Sequence, residues 1–128
     1  MHLKHLGEWI AGLSFEQLPQ ATVRAARLQV LNMVAAAHGA RRSPETGLLR
    51  EALAGFASPG RSTVLATGDR YGPADAALAN AAYSMAQDFD DIVWMGHTCH
   101  SAVFAALAVA EHERATSRQM LLAVVVAN

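Results

Sequence analysis

Apolar side chains recur every three or four positions along most of this chain, and alanine supplies many of them. This spacing places apolar side chains on one face of a helix. Alanine has the highest helix propensity and lets helices pack closely. Apolar residues make up 52% of the 128 residues and charged residues only 16%, which excludes a disordered segment. We therefore expect one all-α domain over residues 1–128, an alanine-rich helical bundle with a buried core.

About six helices are predicted from the periodicity and from residues that cap or break helices. They span residues 3–13, 19–38, 43–56, 74–87, 101–111 and 118–128. Thr63-Val64-Leu65 is strand-like, and the turn residues Gly68–Pro73 follow it. A short extended, hairpin-like excursion is therefore predicted near residues 62–72.

Several large apolar residues are expected to face the core because they lie on helical stripes. They are Trp9, Leu28, Leu31, Met33, Leu49, Leu53, Phe56, Leu78, Met85, Val103 and Leu107. The last helix is different, since Met120–Ala127 is apolar on nearly every side and must be covered by protein. We expect either that the chain stops at a fragment boundary or that a second subunit covers this helix.

Charge and composition exclude several classes of protein. With 10 basic and 11 acidic residues the net charge is −1, so no nucleic-acid partner is expected. The apolar run Leu121–Ala127 is too short to cross a bilayer. The N-terminus lacks a signal-peptide core, and the single Cys99 forms no internal disulfide. The chain is expected to be cytoplasmic and to have no membrane partner.

The polar segment, residues 88–101, combines three carboxylates and two imidazoles between two apolar helices. Near pH 7 these groups carry out proton transfer, and Ser101 with the amides after it offers a helix N-terminus to a substrate carboxylate. A solvated, helix-capping turn is the plain alternative. A metal site at His97 and His100 is disfavoured, because a HxxH loop lacks the i, i+4 spacing of helical zinc sites.

Other candidate side chains are interpreted as structural. Cys99 is expected to be a small buried residue, and Trp94-Met95 are expected to line a substrate pocket or a dimer contact. The remaining histidines are expected at helix ends or exposed faces; they are His2, His5, His38 and His112.

The chain resembles the N-terminal part of MmgE/PrpD proteins over nearly its whole length. Each matching piece is short, but their order and spacing are specific. The pieces are Glu8-Trp9-Ile10, Leu13-Ser14-Phe15-Glu16, the helix Leu28–Gly39, Ser62–Gly68, Pro73–Asn80, Asp88-Phe89-Asp90-Asp91 and His100-Ser101-Ala102-Val103.

This resemblance implies a helical domain that is paired, in whole family members, with a second α+β domain. It implies a lyase-type enzyme that removes a proton next to a carboxylate of a small di- or tricarboxylate, such as 2-methylcitrate, cis-aconitate or iminodisuccinate. It also implies a homodimer that uses no metal and no other cofactor. The alternative is a non-catalytic helical dimerisation module derived from the same family.

The resemblance also implies roles for individual residues. Asp88 matches the first residue of the family's acidic motif and is expected to be catalytic. His100 or His97 is the catalytic histidine, with His100 favoured by its place before Ser101-Ala102-Val103. Asp91 and Ser101 are expected to bind substrate, and no residue is assigned to a metal. Ile92 stands where many members have threonine, and further family residues, including lysines that clamp the substrate, are expected beyond Asn128.

Overall fold

A computed structural model of the chain describes residues 2–86, 88–89, 92 and 96–128. Within them the helices α1–α6 span His2–Gly12, Gln20–Gly39, Pro44–Phe56, Pro73–Met85, Cys99–Glu113 and Ser117–Ala127. Two short strands, β1 (Pro59–Thr63) and β2 (Arg70–Tyr71), form an antiparallel hairpin. The predicted all-α fold with one extended excursion is therefore confirmed.

Local capping signals explain where several helices begin. Pro44 and Pro73 occupy the first positions of α3 and α4, where proline's missing N–H group costs nothing. At α6, Thr116 Oγ1 accepts from the backbone N–H of Gln119, whose side chain accepts in return from the N–H of Thr116. This reciprocal pair satisfies two amides that the first turn of a helix leaves without partners.

Ser14 and Gln17 form a capping box, but it opens a short turn ahead of the predicted second helix. The N–H of Ser14 donates to Gln17 Oε1 over 2.7 Å, but the residues between them form a single 3₁₀ turn, Phe15–Gln17. The α2 helix begins at Gln20, directly after Pro19. Pro19 therefore separates the turn from the helix, because its ring has no N–H group to donate.

The core lies where α2, α4, α5 and α6 meet, and the contact between α4 and α5 is the most extensive among the described elements. Its fully buried members include Met33, Leu53, Val64, Tyr83, Val103, Phe104 and Val124. The phenol of Tyr83 donates to the backbone carbonyl of Thr46, and burial raises its pKa. The phenol therefore stays a neutral donor within the core.

Several residues predicted to be in the core are exposed instead. They are Trp9, Leu28, Leu31, Phe56, Leu78 and Met85. The buried face of α4 carries Ala76, Ala79, Asn80, Tyr83 and Ser84, so the helix packs through its small residues. The prediction that the large apolar residues face the core was therefore wrong for this helix. Small residues let helix axes approach closely, and the larger residues of the helix then point outward.

The α1 helix is exposed along its whole length. No residue of His2–Gly12 is buried, and Leu3 is 85% accessible. The predicted helix is confirmed, but the prediction that it packs into the core of this chain was wrong.

The hairpin begins earlier than predicted, at Pro59, and the strand-like residues Val64 and Leu65 follow β1. Asn80 of α4 explains this shift, since its side chain takes the place of a strand partner. Asn80 Oδ1 accepts from the N–H of Leu65 over 2.7 Å, and Nδ2 donates to the carbonyl of Thr63 over 2.8 Å. The helix thereby satisfies backbone groups that a longer strand would otherwise have to pair.

Side chains also join the hairpin to α5 and α3. The buried Ser62 hydroxyl donates to the carbonyl of Ala108 over 2.6 Å, and Glu111 accepts from both the N–H and the hydroxyl of Thr63. At the turn, Arg50 donates twice to the carboxylate of Asp69, each time over 2.8 Å. The guanidinium of Arg50 lowers the pKa of Asp69, which keeps the pair ionised.

None of the helices in the described ranges is both long and apolar enough to cross a membrane.

The close approach of the two strands gives a direct test of the hairpin. A Cβ atom at Gly60 would overlap the carbonyl oxygen of Tyr71 and lie 2.5 Å from the nitrogen of Gly72. Gly60→Ala should therefore lower the free energy of unfolding by about 1–3 kcal/mol, as overpacking does elsewhere. Gly55→Ala is the matched control, because Gly55 lies in α3 with no atom near its added Cβ. Denaturant unfolding that finds both variants equally stable would contradict the hairpin geometry.

Candidate functional site

The polar segment joins the C-terminal end of α4 to the N-terminal end of α5. Ser84, in the last turn of α4, contacts His100, in the first turn of α5. The two helices therefore run antiparallel with the segment at their joined end. Of the predicted site residues, Asp88, His97, His100 and Ser101 belong to the described part of the chain. Asp91, which was predicted to bind substrate, lies outside it, as do Trp94 and Met95, which were predicted to line a substrate pocket or a dimer contact.

Asp88 occupies a turn in the left-handed backbone region, with φ at 54°. Its N–H donates to the carbonyl of Met85 over 3.1 Å, which closes the end of α4. Aspartate and asparagine tolerate this conformation better than other residues with a side chain. The side chain of Asp88 is exposed, so the turn presents a solvated carboxylate one helical turn beyond Ser84.

His100 is the buried member of the segment, with only 5% of its surface exposed. Its Nδ1 lies 2.6 Å from Ser84 Oγ. Ser84 is itself completely buried, and its hydroxyl also lies 2.8 Å from the carbonyl of Ala81. A buried imidazole with a hydrogen bond to a rigid helix has a fixed ring orientation, which a proton-transfer group needs.

Helix α5 begins three residues earlier than predicted. Ser101 was expected to cap it, whereas Thr98 is the capping residue and Cys99 and His100 already lie in the helix. The burial of Cys99 and His100 explains this difference, because tertiary contacts can extend a helix beyond its local signals. Ser101 is exposed, and its hydroxyl donates to the carbonyl of Thr98 over 3.0 Å.

The structure brings the two candidate histidines together. The rings of His97 and His100 are stacked, with centroids 5.9 Å apart and planes inclined by 19°. His97 is exposed, whereas His100 is buried. The pair thus consists of one imidazole that is hydrogen-bonded to α4 and a second imidazole that is stacked on its solvent side.

Ser84 is the site residue that sequence reasoning missed. It lies four positions after Asn80, and both are polar residues on the buried face of α4. Residues four apart on a helix share one face. Two polar residues at this spacing among alanines were the available signal, because buried polar groups require partners.

Within the described residues no group of three or more histidine, cysteine, aspartate or glutamate side chains is arranged to hold a metal ion. Cys99 is completely buried, which confirms the prediction of a small buried residue.

The chain is similar in sequence to known proteins. The model of the MmgE/PrpD N-terminal domain matches residues 4–128, and the chain therefore belongs to the MmgE/PrpD family. Among curated proteins, the chain is similar to a cis-aconitate decarboxylase of Aspergillus terreus and to the same enzyme of its strain NIH 2624 / FGSC A1156. Each match is 29% identical over 83 residues, which is 65% of this chain and 17% of the relative. No solved structure matches the chain.

These comparisons confirm the family resemblance and link the chain to a family that contains lyases. The matched part spans only about a sixth of the length of the curated relatives.

The left-handed turn at Asp88 provides a test that is independent of activity. The free energy of unfolding of Asp88→Asn should lie within about 0.5 kcal/mol of that of the unchanged protein, because asparagine also accepts this conformation. Asp88→Val should lose about 1–2 kcal/mol, since a β-branched residue is strained there. Thermal unfolding of both variants checks this; equal stabilities would mean that Asp88 does not adopt a positive φ.

Proposed function

We propose that the protein containing this chain is a lyase that removes a proton next to a carboxylate of a small di- or tricarboxylate. The chain would form the N-terminal helical part of a larger two-domain enzyme. The observation that carries the proposal is His100, a buried and oriented imidazole in a chain that belongs to this family. It comes nine positions after Asp91, the last residue of the segment that resembles the family's acidic motif. An imidazole held in this way has the properties of a general acid–base group.

His100 would take the proton from the substrate carbon, and the electron pair left behind would delocalise into the neighbouring carboxylate. In a dehydration the protonated imidazole would give this proton to the hydroxyl group, which leaves as water, and in an epimerisation a proton would return to carbon. In a decarboxylation, loss of carbon dioxide would itself leave the carbanion, and the protonated imidazole would donate a proton to carbon. Asp88 would supply a second acid–base group at the edge of the site, where its carboxylate reaches solvent. Ser101 and Asp91 would bind substrate, Ser101 through the first turn of α5, whose amides attract carboxylates.

The names of the curated relatives support the proposed substrate class. Because the curated relatives are named cis-aconitate decarboxylase, cis-aconitate is the first substrate to test. Ile92 stands in the segment where many family members have threonine, and its side chain is exposed. Because Ile92 lacks the hydroxyl group of that threonine, the substrate can differ from that of the relatives. The related carboxylates 2-methylcitrate and iminodisuccinate should therefore be tested beside cis-aconitate.

Variants of the whole protein test the catalytic assignment. Asp88→Asn and His100→Gln should each lower kcat on the active substrate by about 10²–10⁴-fold, the range of general acid–base catalysis. Activity would be followed by NMR detection of product, and folding by circular dichroism. His38→Gln is the matched control, since His38 is an exposed histidine at the end of α2.

Unchanged kcat in folded His100→Gln, combined with a large loss in His97→Gln, would transfer the acid–base role to His97. Unchanged kcat in all three site variants would refute the catalytic function of the polar segment.

The proposed enzyme works without a metal ion. Dialysis of the active protein against EDTA should leave kcat and KM unchanged, because imidazole and carboxylate groups suffice for the proton transfers. Activity that is lost in EDTA and restored by a divalent cation would overturn this part of the proposal.

The apolar surface of the chain favours a homodimer, and with it the alternative of a non-catalytic dimerisation module. Helix α1 exposes Leu3, Leu6 and Trp9. A groove of about 340 Å³ between α5 and α6 is lined mainly by alanines together with Val109 and Met120. Apolar surface of this kind marks protein contacts. A folded dimer of the whole protein that converts none of the three carboxylates would favour the module.

A further inference from the structure

Ser84 and His100 form a buried hydrogen bond whose direction depends on which nitrogen of the imidazole carries the proton. Ser84 Oγ lies 2.6 Å from His100 Nδ1 and 2.8 Å from the carbonyl oxygen of Ala81. All of this lies in the buried contact between α4 and α5, where Ser84 has no exposed surface. The arrangement is therefore a three-membered chain: imidazole, hydroxyl and helix carbonyl.

A serine hydroxyl has one proton to donate, and a carbonyl oxygen can only accept. Both short contacts are hydrogen bonds only if Ser84 donates to Ala81 and accepts from His100 Nδ1–H. In the neutral imidazole the proton then resides on Nδ1, and Nε2 carries the lone pair. This is the less populated tautomer of a free histidine side chain in water, so the protein selects it.

We infer that Ser84 is a positioning residue that holds His100 in the Nδ1–H tautomer, with Nε2 as its basic nitrogen. The catalytic meaning of this inference rests on the proposed function, whereas the tautomer itself does not. When Nε2 takes a proton, the Nδ1–H group continues to donate to Ser84. The ring therefore has the same partner before and after proton transfer and needs no rotation between the two states.

The tautomer can be measured directly in the whole protein labelled with ¹⁵N-histidine. Long-range ¹H–¹⁵N spectra of the neutral imidazole distinguish protonated from unprotonated ring nitrogens. The signals of His100 are assigned by their loss in His100→Gln. In the unchanged protein we expect a protonated Nδ1 and an unprotonated Nε2.

Two serine variants separate positioning from simple packing. Ser84→Ala should shift His100 towards the Nε2–H tautomer, because Nδ1 loses its acceptor. Ser62→Ala is the matched control: Ser62 is also fully buried and donates to a helix carbonyl, that of Ala108. It should leave the His100 signals unchanged. Ser84→Thr restores a hydroxyl that can still reach the carbonyl in the preceding turn, and it should restore the Nδ1–H tautomer.

Activity measurements then connect the tautomer to catalysis. Ser84→Ala should lower kcat by about 10–100-fold, the effect of removing a partner that orients a functional histidine. It should also change the pH dependence of kcat, while the Ser62→Ala profile stays as in the unchanged protein.

An Nε2–H tautomer in the unchanged protein, or an Nδ1–H tautomer that persists in Ser84→Ala, would overturn the inference whatever the activity. A different result would separate the inference from the proposed function. A tautomer that shifts as expected, together with kcat that is insensitive to both Ser84→Ala and His100→Gln, would support the positioning by Ser84 and refute the proposed function.

Discussion

The close antiparallel packing of α4 against α5 is the constraint on which the rest of the described structure depends. Ala76 and Ala79 on α4 and Ala102 and Ala108 on α5 are all buried, and side chains this small let two helices approach closely. The hairpin attaches to this helix pair through Asn80 and Ser62. At the other end of the pair, the polar segment connects the two helices. A single interface thus supports both the extended part of the chain and the candidate site.

Polar groups inside this interface are few, and those described here are hydrogen-bonded. Asn80 pairs with the backbone of Thr63 and Leu65, and Ser84 pairs with His100 and Ala81. Removing one partner from a buried pair leaves the other without compensation and costs about 1–3 kcal/mol. These pairs therefore specify how α4 is rotated relative to its neighbours, which alanine packing alone would leave poorly determined.

The helices were predictable from the sequence because periodicity and capping act locally, as at Pro44, Pro73 and Thr116. The buried faces were less predictable, since the large residues Leu28, Leu31 and Leu78 point outward while alanines pack inward. Which face of a helix is buried depends on the partner that it meets. The hairpin begins earlier than predicted for the same reason, because Asn80, which is distant in sequence, pairs with the residues after β1.

The candidate site was likewise only partly predictable from the sequence. The acidic motif and the two histidines could be identified from the sequence, and Cys99 was correctly expected to be buried. The start of α5 was misplaced and Ser84 was missed, because the burial of His100 against α4 decides both. A contact between residues 16 positions apart in the chain has no local signature.

The Ser84–His100 contact also limits how this region can vary during evolution. A change of His100 to an apolar residue would leave a buried hydroxyl beside it, and a change of Ser84 to a large residue would displace the ring. Tolerated replacements at the two positions should therefore occur jointly in descendants of this gene. The two positions would then vary together, although they belong to different helices and lie 16 residues apart.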